Sequence, residues 1–348
     1  MDTGNLDKLL DKISPGSQIP KDLSKHDRVL LIDGMNLFLR NFAVINHISP
    51  QGSHVGGLGG FLRSLGFLIQ KIQPTSVYII FDGEGSSINR KNIFSEYKSG
   101  RGSHQITNWE AFNSVEEELD SKVDQISRLI HYLKCLPVKI ISLDKVEADD
   151  IIAYLSNTLS NSSNKSKVYI VSSDKDFIQL ASSKVIIFRP QEKKFWDDKT
   201  VIKNYNLVPK NFILYKTLVG DQSDKIPGVK GLGKKKILNL FPELSEREMD
   251  MEDIYEISSQ KYKDNLLYSK IILNYNELKK YYLIMDLGNP LLNDKQIGYL
   301  NSVIEEDVNQ VDISSFVEMY ELDGIGRLIS NPQHWVRSNF SYLYNFNT

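Results

Sequence analysis

Asp174 and Asp176 sit one residue apart where the apolar run in "VYIVSSDKDFIQL" (168–180) gives out. Asp33 and Asp82 likewise follow apolar runs directly, in "RVLLIDG" and "SVYIIFDG". Glu147, Asp149 and Asp150 open a helical pattern in "DKVEADDIIAYLSNTL", and Asp221 and Asp224 lie in "LVGDQSDKIPG". Any one of these acids alone is ordinary cap or turn chemistry. Asp150 can simply cap or solvate its helix, and Glu147 with Asp149 suits a helix start through the dipole. Together they are a different matter. Carboxylates gathered in one place repel and raise one another's pKa values, a penalty that bound cations remove. Oxygen-only ligands suit Mg²⁺ or Mn²⁺ rather than zinc. The six histidines form no H-E-x-x-H set, and the one cysteine, Cys135, lies elsewhere. The acids exceed one ion's needs. Two ions about 4 Å apart would flank a phosphodiester, one activating a water and both neutralising charge.

A second pattern suits polyanions. Gly228, Gly231 and Gly233 in "DQSDKIPGVKGLGKKKILNL" allow a tight hairpin between two helices, since glycine permits unusual backbone angles. Such a hairpin turns N–H groups toward a phosphate, and Lys230, Lys234, Lys235 and Lys236 add charge. Contact of this kind reads a duplex backbone without regard to base sequence. The Walker order G-x-x-x-x-G-K-[ST] is absent. The plain alternative is a glycine C-cap followed by a solvated lysine run. Arg90, Lys91, Tyr97, Lys98 and Arg101 follow Asp82 in a polar, basic and aromatic stretch over about 86–120. The spacing of Arg90 and Lys98 places them on one face of a helix, where either would grip a scissile phosphate. Tyr97 or Trp109 would stack on an unpaired base or, equally, pack into the core.

These residues need a scaffold. "RVLLIDG", "SVYIIFDG", "PVKIISL", "KVYIVSSDKD" and the shorter "KVIIFR" are continuously apolar, with helical segments between them. That pattern predicts an α/β fold, a mostly parallel central sheet covered by helices on both faces. Ligands in such sheets bind beyond the carboxyl ends of the strands. The chain divides into a leader at 1–28, a catalytic α/β core at 29–206 and a helical region at 207–348. Leu6, Leu9, Leu10 and Ile13 make the leader a short helix packed on the body or a docking peptide. With 348 residues, 41% hydrophobic and 25% charged, a real core fits within a soluble chain. The net charge of −2 does not by itself suggest nucleic acid, though a balanced total can hide separated faces. One cysteine implies no disulfide framework and fits a reducing compartment. No run is apolar enough to cross a bilayer and the start carries no secretory signal, so a cytoplasmic monomer is expected.

Taken in order, "LLIDGMN", "IIFDG", "RKNIFSEYKSGR", "VEADDIIAYL", "VSSDKDFIQL" and "VGDQSDKIPGVKGLGKK" resemble the 5′ nuclease superfamily over residues 30 to 236. That superfamily includes flap endonucleases, the 5′ nuclease domain of bacterial DNA polymerase I and the ribonuclease H of T-even-like phages. "NWEAFNS" and "YKDNLLYSKIILNYNELKKYYLIMDLGNP" look most like the phage ribonuclease H branch. The resemblance implies a helical arch and a helix-hairpin-helix element. It implies 5′ to 3′ hydrolysis of RNA:DNA hybrid, nicked or branched duplex DNA and 5′ flaps, in replication and repair. It further implies one Mg²⁺ on Asp33, Asp82, Glu147 and Asp149 and a second on Asp174, Asp176 and Asp221, with Mn²⁺ as a substitute. Asp224 matches a further site acid and Asp150 a peripheral one. Arg90 and Lys98 match phosphate contacts, Tyr97 the neighbouring aromatic position, and Arg101 a nucleic-acid contact. The hairpin from Gly228 to Gly233 matches a duplex grip that in relatives can include K⁺. The implied partners are a single-stranded-DNA-binding protein, met by the C-terminal region, and a sliding clamp, met by the leader or "NFSYLYNF". A phage origin would place the chain in the host cytoplasm.

Two other classes compete. A catalytically silent DNA-structure-binding protein would keep the hairpin and lack some acids, whereas here the acid set is full. A PIN-type ribonuclease also groups acids at strand ends but usually lacks a stretch like "GVKGLGKK".

Overall fold

The computed structural model describes residues 24–99, 105–308, 310–341 and 343. Most of the leader, Arg101 and the end of the "NFSYLYNF" tail lie outside the described residues. The five apolar runs form β1 (Arg28–Asp33), β2 (Ser76–Ile80), β3 (Lys139–Ile141), β4 (Lys167–Val171) and β5 (Val185–Arg189). They pair in parallel in the order β3-β2-β1-β4-β5, and β6 (Lys194–Trp196) closes that side as an antiparallel edge. β6 escapes the sequence reading because three residues carry no usable periodicity. The register levels the strand ends. Asp33 pairs with Ile80 and Ile80 with Ile141, while Ile32 pairs with Val171 and Val171 with Phe188. Asp33, Asp82 and Asp174 therefore leave the sheet along one edge.

Fourteen helices follow from the described residues: α1 (Gly34–Val44), α2 (Gly56–Ile72), α3 (Ile88–Ile93), α4 (Val115–Lys134), α5 (Ala148–Ser160), α6 (Asp198–Tyr205), α7 (Phe212–Val219), α8 (Lys234–Leu240), α9 (Met251–Gln260), α10 (Leu266–Leu273), α11 (Tyr275–Met285), α12 (Asp294–Glu305), α13 (Ile313–Asp323) and α14 (Pro332–Phe340). Strand side chains alternate between faces. Val29 and Leu31 enter one core with Ile151, Leu155 and Phe212. Leu30 and Ile32 enter the other with Phe38, Leu62, Leu129 and Phe316. Burying each such side chain stabilises the fold by roughly 1.5–3 kcal/mol. Both faces being apolar explains why the strands read as unbroken runs. Among the described residues no helix is long and apolar enough to cross a membrane.

Two local expectations change. The helix bearing Arg90 stops at Ile93, and Phe94 is extended with φ −140°. Arg90 and Lys98 therefore do not share a helical face, and Lys98 itself adopts φ 52°. Between α3 and α4 the described residues form turns, until Ser114 caps α4 by accepting from the Glu117 N–H. The lysine-rich hairpin is also looser than its glycines suggest. Residues 220–233 join α7 to α8 and contain an antiparallel bridge between Asp221 and Ile226. Gly228 and Gly231 are left-handed, with φ 62° and 94°. A Cβ on Gly228 would lie 2.4 Å from the Gly220 nitrogen, so no other residue fits there. Gly233, with φ −115°, is extended backbone open to any residue.

Candidate active site

β1 ends in Asp33, which then caps α1. One carboxylate oxygen accepts from the Asn36 N–H at 3.0 Å, and the other from the Ser172 hydroxyl at 3.0 Å. Ser172 follows β4 and also accepts from the Asp174 N–H at 3.0 Å. Asp174 in turn accepts from the Asp176 N–H at 2.9 Å. Asp82, past the end of β2, accepts from the Ala148 N–H at 2.8 Å and so ties that strand to the start of α5. Local turn chemistry thus locks the acids to three strands and one helix.

Their charges overlap. Burial pushes the Asp33 carboxyl up to about 7, helped by the charges of Asp82 and Asp174 and opposed by its two hydrogen bonds. Burial also drives Asp149 well above the ordinary carboxylate range, and Asp174 and Asp33 add to the effect. Asp176 rises to about 7 through burial and the charge of Asp174, with Lys216 opposing. Buried Asp224 adds its charge to Asp176 and to Tyr97. Asp33 thus feels Asp82 and Asp174, Asp149 feels Asp174 and Asp33, and Asp176 feels Asp174 and Asp224, which links the six acids at the carboxyl edge.

Three cations answer them. The Glu147 carboxylate accepts from the Tyr97 hydroxyl at 3.1 Å and from Lys98 Nζ at 2.9 Å, and Arg90 lies 3.1 Å away. Burial would raise Glu147, yet Arg90 and Lys98 hold it below the ordinary carboxylate value. Arg90 is only 3% exposed. Its guanidinium makes a two-point contact with Asp150, at 2.5 and 3.0 Å, and donates to the Ile284 carbonyl at 2.7 Å. The Arg90 side chain points inward in this structure, because Asp150 and α11 offer it fixed acceptors. Tyr97 is buried as well, its ring in the core and its hydroxyl on Glu147, so it has no free face for base stacking here. Trp109, in contrast, is 73% exposed. Lys216 bridges Asp176 and, at 2.6 Å, Asp221. Burial would raise Asp221, but Lys216 and Ser223 pull it down to about 2.

The donors fit a hard divalent cation in kind, being carboxylate oxygens alone whose mutual repulsion such a cation would relieve. Among the described residues no three His, Cys, Asp or Glu side chains already meet at one coordination point. The acids are gathered, but Lys98, Arg90 and Lys216 hold part of the set. A cavity of about 470 Å³ opens beside them, lined by Asn36, Ser173, Asp174, Tyr215, Lys216 and Asp221. Beyond it Lys230, Lys234, Lys235 and Lys236 are exposed. Lys234 lies 4.5 Å from the centre of the Tyr205 ring, and Lys270 braces the turn by donating to the Lys230 carbonyl.

Residues 28–206 match the family model for the 5′-3′ exonuclease, N-terminal resolvase-like domain. The chain belongs to the 5′-3′ exonuclease family. It is 31% identical to the 5′-3′ exonuclease of Aquifex aeolicus over 212 residues, which is 61% of this chain and 68% of that protein. It is 30% identical to DNA polymerase I of Lactococcus lactis subsp. cremoris over 316 residues, 87% of this chain. The chain spans 34% of that polymerase's length. A flap endonuclease variant of bacteriophage T5 D15, solved as a pseudo-enzyme-product complex with DNA and metal ions, shares the fold. Its TM-score is 0.63 at 18% identity, covering 80% of this chain and all 100% of that one. This exonuclease-family chain is accordingly a nuclease.

Within the exonuclease site, sequence reasoning missed Ser172, Asn36 and Lys216. Serine and asparagine beside a turn carry no distinctive signal. Lys216 did carry one: it is the lone charge in "FILYKTLV", a helix otherwise apolar, a few residues before Asp221.

Proposed function

We propose that this chain is a Mg²⁺-dependent 5′ to 3′ exonuclease and flap endonuclease that removes RNA primers and 5′ flaps from duplex DNA. The observation that supports it is the gathering of acids at the carboxyl edge, where burial first and neighbouring carboxylates second push Asp33, Asp149 and Asp176 upward, in a chain that also carries a basic hairpin. Asp33, Asp82, Glu147 and Asp149 would hold one ion and Asp174, Asp176 and Asp221 the other, with Asp224 behind them. The two ions, when bound, would supply a water nucleophile at neutral pH and offset charge on the phosphorus centre. The protein supplies position and field. Ser172 and Asn36 orient Asp33 and the Asp174 turn. Lys98, whose side chain is 22% exposed, can leave Glu147 for a phosphate oxygen. Arg90 and Tyr97 fix Glu147 from the buried side. The exposed lysines of residues 230–236 would grip the duplex backbone irrespective of sequence.

Labelled RNA:DNA hybrid, 5′-flap DNA and single-stranded RNA, each with Mg²⁺ or EDTA, test the proposal. Mg²⁺-dependent release from the 5′ end of the first two is expected. Cleavage of single-stranded RNA alone would turn the reading to a PIN-type ribonuclease. Tight binding of flap DNA without cleavage would turn it to a structure-binding protein.

A further inference from the structure

We propose that Lys216 is a built-in counter-ion of Asp176 and Asp221, which it holds together in the metal-free protein and surrenders to an incoming divalent cation. The inference rests on the metal-dependent reading above and adds a residue that competes with the metal. Lys216 is one charge in the apolar helix α7, and its side chain is 10% exposed. Its carboxylate partners are nearly as enclosed, at 13% and 17%. They come from different elements: Asp176 follows β4, and Asp221 follows the Gly220 cap of α7. With the lysine removed, Asp176 would face Asp174 and Asp224 without the cation that opposes them here. A buried ammonium is costly unless paired, so the pairing is the condition for its being there.

The same contact obstructs a metal. Lys216 holds Asp176 Oδ1 and Asp221 Oδ2, so a cation bridging the two carboxylates would meet its positive charge at close range. An exit exists. Lys216, Asp174 and Asp221 all line the cavity of about 470 Å³. Its four-carbon stem lets Nζ swing into that space while the α7 backbone stays in place. Lys216 is therefore a positioning residue: it keeps the acids assembled without metal and weakens the first binding of metal there.

Mn²⁺ binding to the full chain without nucleic acid, followed by electron paramagnetic resonance and by thermal melting, tests this. Wild type, Lys216→Met and Lys216→Arg are compared. The methionine variant is expected to bind Mn²⁺ about tenfold tighter. It should also melt lower without metal and gain more from saturating Mn²⁺, while Lys216→Arg keeps the wild-type affinity. General structural damage would weaken Mn²⁺ binding, so tightening is the diagnostic sign. Unchanged or weaker binding by Lys216→Met, with wild type binding normally, would overturn the counter-ion role and leave the metal reading intact. Absence of Mn²⁺ binding in wild type would remove both. If Lys216→Met folds only when Mn²⁺ is added, the proposal is supported; if Mn²⁺ does not restore it, the proposal fails.

Discussion

The buried cations at the sheet edge and the exposed lysines of the hairpin carry the same charge into opposite surroundings. Arg90, Lys98 and Lys216 each lie within hydrogen-bond reach of a carboxylate and have side chains 4%, 22% and 10% exposed. Lys230, Lys234, Lys235 and Lys236 stand in solvent, and those with contacts reach backbone carbonyls or a ring face. A charge removed from water must be answered at once by a fixed partner. A charge left in water costs little and stays available for a polyanion. The first set therefore organises acids, and the second offers a surface. The difference comes from burial, since lysine stands on both sides of the comparison.

Four experiments break or sharpen that contrast. The largest effect is expected from Asp174→Asn with Asp176→Asn, which removes two of the gathered acids, including the Asp176 charge that Lys216 opposes. Cleavage of 5′-flap DNA should fall at least about a thousandfold, while duplex affinity by fluorescence anisotropy stays close to wild type. Mg²⁺-dependent turnover by this double variant would refute the assignment of these acids. Next is Arg90→Met, which leaves Asp150 and Glu147 buried without their guanidinium. Urea unfolding should show a loss of about 3–5 kcal/mol. A loss below 1 kcal/mol would mean that Arg90 is not the keystone its contacts indicate.

Lys234→Ala with Lys235→Ala should leave the melting temperature near wild type and weaken binding to all duplexes alike. The slope of log affinity against log salt should become shallower by about 2. An unchanged slope would remove the hairpin from the interface. The smallest effect belongs to Lys279→Ala, which breaks a pair with Glu252 whose side chains are 49% and 60% exposed. Its melting temperature should stay close to wild type, and a loss on the scale of Arg90→Met would erase the contrast between buried and exposed charge.

Much of this molecule is legible in its chain because the signals are local. Unbroken apolar runs state that both faces of each strand are covered, and an acid at the end of such a run must emerge where the strands end. Asp33, Asp82 and Asp174 each follow such a run and parallel pairing levels the strands they follow, whereas Asp149 reaches that edge from the first turn of α5. The glycine requirement was local too at Gly228 and Gly231, where φ is positive, but not at Gly233.

What the linear order could not decide is which charges meet. Arg90 and Asp150 are 60 positions apart, Lys216 and Asp176 are 40 apart, and no spacing rule joins them. Helical periodicity even pointed the wrong way, since it put Arg90 beside Lys98 on a helix that ends at Ile93. Sequence alone determined the sheet, the edge and the supply of acids, through patterns that repeat every two residues or every turn. Tertiary packing decided the partners of every buried charge, because desolvation allows only the pairings that the register of the sheet and the seating of α5, α7 and α11 bring within reach.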